Sequence, residues 1–203
     1  SKEIWRRFKK NKPAVIGLFV LMFMFTLAIF SPLIYDYSTD VIGQNITNRL
    51  QPPNAQHLMG TDNYGRDILA RIIYGSRVSL LIGFIAVGFS LLIGGSIGTI
   101  AAYFGGKLDN ALMRVMDVFM SLPSILLAIA IVAALGPGIV NLTIAMTISF
   151  IPPYARLLRS LVLPIKDMEF VEAAVATGLS KARIIIMHII PNTVGPVLVQ
   201  STL

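Results

Sequence analysis

From Val118 to Ala155 the chain carries no Asp, Glu, Lys or Arg. As one α-helix, rising about 1.5 Å per residue, this stretch would be about 57 Å long. The hydrocarbon core of a bilayer is only about 30 Å thick, so lipid can hold the run only if it folds back on itself. "LGPGIVN", Leu135 to Asn141, lies at its middle and supplies the Gly and Pro of a hairpin. The run therefore predicts two spans, near Met113 to Leu135 and Ile139 to Leu157. Pro152 and Pro153 are expected to kink the end of the second, because neither has a backbone N–H.

With one hairpin in lipid, the other uncharged runs read on the same scale. Pro13 to Tyr35 gives a first span near Ala14 to Ser31, and Val78 to Gly106 gives another. A last span begins near Arg183 and continues past Pro191 and Pro196 to the end of the chain. A secretory leader is a poor reading of the first run, which is longer than an h-region and is followed by no A-x-A-like site. Composition agrees, with 55% hydrophobic and 13% charged residues, where a soluble domain holds about 25% charged. The fold class expected is thus all-α, a polytopic transmembrane bundle. Ser90, Gly94, Gly98 and Ala102 recur every four residues and put small side chains on one helix face, where another backbone can approach.

The formal charge of +7 does not point to nucleic acid, because the cations are not interleaved with a polar, aromatic surface. They are distributed by side instead. With the N-terminus inside, thirteen of the 17 Lys and Arg fall on cytoplasmic segments and only Arg49, Arg66, Arg71 and Arg77 outside, as the positive-inside rule favours. Five spans on this count end outside, as if a sixth were missing. Ser1 in place of Met and an apolar stretch at Leu203 fit a piece of a longer product. The expected divisions are a basic segment with the first span (1–35), an extracytoplasmic loop (36–75) and a core (76–203).

The cytoplasmic loop between the fourth and fifth spans ends in "DMEFVEAAVATGLSKAR". Asp167 can cap a helix, Glu169 and Glu172 complement the positive end of its dipole, Gly178 is a natural stop and Ser180 can cap the next span. A helix within 167–179 is too short to cross a bilayer. Its surface is small, with Ala173, Ala174 and Gly178, so it can enter a groove on another protein, Glu172 giving a polar contact and Phe170 or Val171 apolar anchors. A helix lying on lipid headgroups would carry Lys and Arg among its own residues, and Asp167 to Ser180 has none.

Catalytic chemistry finds little here. The absence of cysteine excludes disulfides, thiolate metal sites and cysteine nucleophiles. His57, Asp62 and Asp67 lack metal-ligand spacing, and Asp–Arg pairing beside turns at Gly60 and Gly65 is the better reading. Arg114 and Asp117, three apart, are expected to pair on one helix face. "AAYFGGKL", Ala101 to Leu108, fails as a phosphate-binding loop, with Ala101 and Leu108 where Gly and Ser or Thr are required. No nucleophile or partner acid lies near Glu172 in sequence.

Glu172-Ala173-Ala174, three residues, Gly178, nine more and an ending at Ile190-Pro191 resemble the "EAA" signature of permease subunits of importers driven by ATP-binding cassettes. His188 stands where the general pattern is apolar, and histidine there resembles the peptide and nickel branch. "HLMGTDNYGRDILARIIYGSRVSL", His57 to Leu80, is similar to the segment before the second span in dipeptide, oligopeptide and nickel permeases, and "MRVMDVFMSLPSILLAI", Met113 to Ile129, resembles their third span. The resemblance covers essentially the whole chain and implies a C-type permease subunit of the MetI-like kind, cut before its last span. It implies a multi-pass protein of a bacterial or archaeal inner membrane that carries peptides, nickel or related solutes. Implied partners are a second permease subunit, two cytoplasmic ATPases that bind the ATP and magnesium, and an extracytoplasmic solute-binding protein. No cofactor is expected on this chain. Glu169, Phe170, Val171, Glu172, Ala173, Ala174 and Gly178 would form its ATPase-coupling helix. The rival is a secondary transporter or channel subunit, which would need polar residues at a midplane site beyond Asn141, Thr143, Thr147 and Ser149.

Overall fold

A computed structural model describes Arg6 and residues 8–201, so Lys2 and Arg7 of the basic segment lie outside the described residues. Its contacts divide the chain into two compact units, Ser1–Leu81 and Ile82–Leu203.

The first unit holds helix α1 (Lys12–Ile34), a long loop and the start of α2 (Ile68–Phe104). Asn11 caps α1 by accepting the Ala14 N–H at 3.3 Å, and Pro13 in the first turn gives up no needed donor. Side chains such as Leu33, Phe19, Ile29 and Ile16 are more than 60% exposed around α1. A helix apolar on every side is one whose solvent is lipid. The loop is wound rather than open. A π-type turn, Tyr37–Val41, is capped by Asp36, and a 3-10 turn, Ile46–Asn48, by Asn45. The expected second span starts about ten residues early, at Ile68, because Asp67 accepts the Ala70 N–H at 2.8 Å and caps the helix there.

The second unit contains the rest of α2, then α3 (Gly106–Met120), α4 (Ser124–Leu135), α5 (Ile139–Lys166), α6 (Glu169–Ala176) and α7 (Lys181–Ser201). Gly105 and Gly106, at φ +64° and +59°, turn α2 into α3, which is what the "FGG" of the failed phosphate loop does. Gly136 and Gly138, also at positive φ, close the α4–α5 hairpin, and the Asn141 amide donates to the carbonyls of Leu135 and Gly136. The small-residue face of α2 meets α5. The Ser90 hydroxyl donates to the Thr147 carbonyl at 2.8 Å, and Gly94 and Gly98 lie directly against the backbone of Ile151 and Ala155.

One expectation is corrected. The third span is not continuous. It breaks at Ser121–Pro123 into α3 and α4, bent by 82°, because Pro123 cannot donate into a helix and disfavours the helical conformation of Leu122. By length and apolarity alone three helices (α1, α2, α7) can cross a membrane, or four if the bent pair counts as one span, and the fifth expected crossing rests on one further helix. That helix is α5, a 28-residue helix that runs through Pro152, Pro153 and Pro164 and carries Arg156, Arg159 and Lys166. Among the described residues there is no strand, only one isolated bridge between Thr61 and Asp67 within the long loop.

Candidate functional site

The short helix of the cytoplasmic loop exists, trimmed from 167–179 to the eight residues Glu169–Ala176, about 12 Å long. Asp167 does not cap it. That residue ends α5, its N–H bonded to the Ile165 carbonyl, and Met168 occupies the cap with no side-chain bond. The first turn is left to Glu169 and Glu172, whose carboxylates suit the positive end of the dipole. The C-terminal stop is as expected. Gly178, at φ +77°, donates to Val175 and Leu179 donates to Ala174, the paired bonds of a Schellman motif. Ser180 takes the cap position of α7 but makes no side-chain cap bond.

The helix has two faces. Val171 and Ala174, 3% and 6% exposed, pack with Ala102, Val162, Ile165, Ile184 and Ile189. Two residues expected to meet a partner are therefore in the chain's own core, because at a spacing of three they share the stripe facing α5 and α7. Glu169, Glu172, Ala173 and Gly178 face outward, as do Phe170 (40% exposed) and two residues the sequence reading passed over, Met168 and Val175 (45% and 56%). The periodicity that buries Val171 and Ala174 would have exposed Val175. Its neighbours are firmly tied. Lys166 donates to the Ala102 carbonyl at 3.1 Å, and the Lys181 ammonium lies 5.2 Å from the centre of the Phe104 ring.

Cations of α5 extend the same assembly to α3. Arg159 grips Asp109 through two bonds of 2.6 and 2.7 Å, and Arg156 bonds Asp117. Asp117 was expected to pair with Arg114. A pair on one helix face is worth only a few tenths of a kcal/mol, and α3 lies along α5, so the neighbouring helix takes the carboxylate. His188 sits in a π-wound turn of α7, Ile185–Ile189, and its carbonyl accepts the Asn192 amide at 2.7 Å. The slipped turn precedes Pro191, whose ring would otherwise press on the carbonyl four residues back.

The outer-loop motif is an ion-paired turn. Asp62 accepts N–H bonds from Tyr64 (2.8 Å) and Arg66 (3.0 Å) and pairs with the guanidinium groups of Arg66 and Arg71. Burial raises the pKa of this carboxyl, but the Arg66 side chain and the two N–H bonds outweigh it and hold the group well below the usual carboxylate range. His57 Nδ1 lies 2.8 Å from an Asp67 oxygen. Gly60 and Gly65, both at φ +74°, make the turns, and a Cβ on Gly65 would overlap the Asn45 carbonyl. Among the described residues no three His, Cys, Asp or Glu side chains are grouped to hold a metal ion.

Residues 94–203 match a family described as the binding-protein-dependent transport system inner membrane component, and residues 1–53 match the N-terminal TM domain of oligopeptide transport permease C. The dipeptide transport system permease protein DppC of Alkalihalophilus pseudofirmus is 46% identical over 202 residues, covering 100% of this chain and 66% of the relative. DppC of Bacillus subtilis is 40% identical, with 100% of this chain and 63% of the relative covered. The oligopeptide transport system permease protein OppC of Bacillus subtilis is 39% identical, with 100% and 67% covered. The chain thus spans about two thirds of the length of these relatives. With its helices, its two-faced short helix and these matches together, the chain belongs to the family of inner-membrane components of binding-protein-dependent transport systems, in the branch of the dipeptide and oligopeptide C-type permeases.

Proposed function

We propose that the chain is the membrane part of an ATP-driven importer, working with a second permease subunit, two cytoplasmic ATPases that bind ATP and magnesium, and an extracytoplasmic solute-binding protein in a bacterial inner membrane. Peptides are the substrate class, by likeness to relatives named for dipeptide and oligopeptide transport; a nickel complex is the second candidate. The observation that carries this reading is the division of α6, with Val171 and Ala174 in the chain's own core and Glu169, Phe170, Glu172 and Ala173 presented outward. A partner that seizes the outer face moves the inner face with it, and through the core the ends of α2, α5 and α7. Differential contacts of this kind bias a two-state element and so gate access from one side or the other.

The rival, a transporter that needs no ATPase, requires polar groups free to line a path. Thr143, Thr147 and Ser149 instead donate to carbonyls of their own helix, at Ile139, Thr143 and Ala145. Reconstitution with the ATPases and binding protein separates the readings. Glu172→Lys is expected to cost about 0.3–1 kcal/mol of stability through the helix dipole while import per ATP falls far more than that loss explains. Val171→Ala is expected to cost about 1–3 kcal/mol of stability, since it leaves a cavity beneath the helix. Unchanged coupling in Glu172→Lys, or uptake that proceeds without the ATPases, would remove the docking role.

A further inference from the structure

The bond between Arg159 and Asp109 is of a different kind from the other ion pairs in the second unit. It is bidentate, at 2.6 and 2.7 Å, and Asp109 is only 8% exposed. The Arg156–Asp117 pair is by contrast open, its side chains 53% and 61% exposed. The pair is only half withdrawn from water, with the Arg159 side chain 33% exposed, and partial desolvation offsets part of the attraction, so it is weak evidence for stability. Its fork-to-fork geometry does fix orientation, since two parallel bonds resist rotation that a single contact allows. The two pairs together join α3 to α5 at points eight residues apart on α3 (about 12 Å) and three apart on α5 (about 4.5 Å), so that neighbouring arginines of α5 reach to both halves of α3.

Both ends of α3 are joints. Gly105 and Gly106 at positive φ lead into it, and the break at Ser121–Pro123 leads out, with the 82° bend. The backbone changes direction at both ends of α3, with Gly105 bonded to Ala101 behind it and to Asp109 ahead, and the link from α3 to α5 falls to side chains. The far end of α5 carries Val162 and Ile165, which pack on Val171 and Ala174 of α6. We infer that Asp109 and Arg159 are positioning residues for import: their bidentate pair, steadied by Arg156–Asp117, makes α3 travel as one body with α5 and α6, so that displacement of α6 is delivered to the elbow at Ser121–Pro123.

The inference extends the importer reading above and is tested on the assembled importer in lipid, with any cysteines outside these 203 residues, which hold none, replaced by serine so that the introduced labels report alone. Spin labels on Asn110→Cys and Ser160→Cys, both exposed positions on α3 and α5, report the distance between the helices with and without a non-hydrolysable ATP analogue. One distance in both states is expected, and a second distance appearing with the analogue overturns the one-body claim whatever the complex transports. That readout keeps failure of this inference distinct from failure of the importer reading. Asp109→Asn is expected to broaden the distance distribution and to cut import per ATP roughly tenfold, within the usual span of coupling energies. Joining α3 to α5 with a short bismaleimide across Asp109→Cys/Arg159→Cys is expected to restore coupling. A cross-linked complex that hydrolyses ATP but no longer imports would show that α3 must move against α5, and would sink the proposal.

Discussion

Gly98 and Gly88 lie ten residues apart on one helix and do opposite things. A Cβ on Gly98 would overlap the Ala155 carbonyl, and one on Gly94 the Ile151 carbonyl, whereas a Cβ on Gly88 meets nothing within 4 Å. Gly98→Leu is therefore expected to force α2 and α5 apart at a cost of about 1–3 kcal/mol, the usual penalty for overpacking. Gly88→Ala is expected to be neutral or to stabilise by up to about 1 kcal/mol, because alanine loses less backbone freedom on folding. Thermal unfolding of the two variants in detergent measures the contrast, and equal midpoints would mean that the small-residue face does not carry the packing. The four-residue spacing of Ser90, Gly94, Gly98 and Ala102 made this face legible in the sequence. Its partner was not, because spacing states which side of a helix is smooth and says nothing of which backbone lies against it.

Among the elements, the outer loop depends most on a single carboxylate. Asp62 closes the turn by accepting two backbone N–H bonds and pairing with Arg66 and Arg71. Because its pKa is depressed in the folded loop, its contribution is present above its unfolded value, near pH 4, and is lost as pH falls through the folded value. Asp62→Asn is thus expected to be less stable than the parent at neutral pH and to converge on it in acid. Thermal midpoints taken from about pH 6 down to pH 2 test this, and a gap that stays constant across the series would assign the effect to shape rather than charge. The Asp and Arg pairing beside Gly60 and Gly65 was readable from residue types alone. The caps were less so. Asp167 looks like a helix start from its neighbours, yet the chain uses it to finish α5, because an Asx side chain favours either boundary and tertiary packing chooses between them. Pro123 was a visible breaker that averaging over a span-length window conceals.

At the scale of the whole chain, hydropathy carried the fold class, since a helix in lipid must satisfy its backbone internally and so announces itself as an uncharged run. It did not carry the number of spans. In α5 the proline pair, the hydroxyl residues and Arg156 lower the apolarity of a segment that the hairpin argument needs in the membrane, and only a measured topology decides its place. These 203 residues hold no cysteine, so a single introduced cysteine, compared with the parent chain, reports sidedness. With the proposed N-inside orientation, Asn63→Cys in the outer loop is expected to react with an impermeant maleimide added outside intact cells, and Thr177→Cys beside the short helix only after the membrane is opened; both positions are exposed. Ala134→Cys and Asp167→Cys, near opposite ends of the α4–α5 hairpin, then decide the count. If α5 crosses, the first labels from outside and the second from inside. Labelling of both from inside would make the hairpin re-entrant and leave α6 on the cytoplasmic face, whereas labelling of both from outside would place α6 where no cytoplasmic ATPase could reach it, and would overturn the docking role.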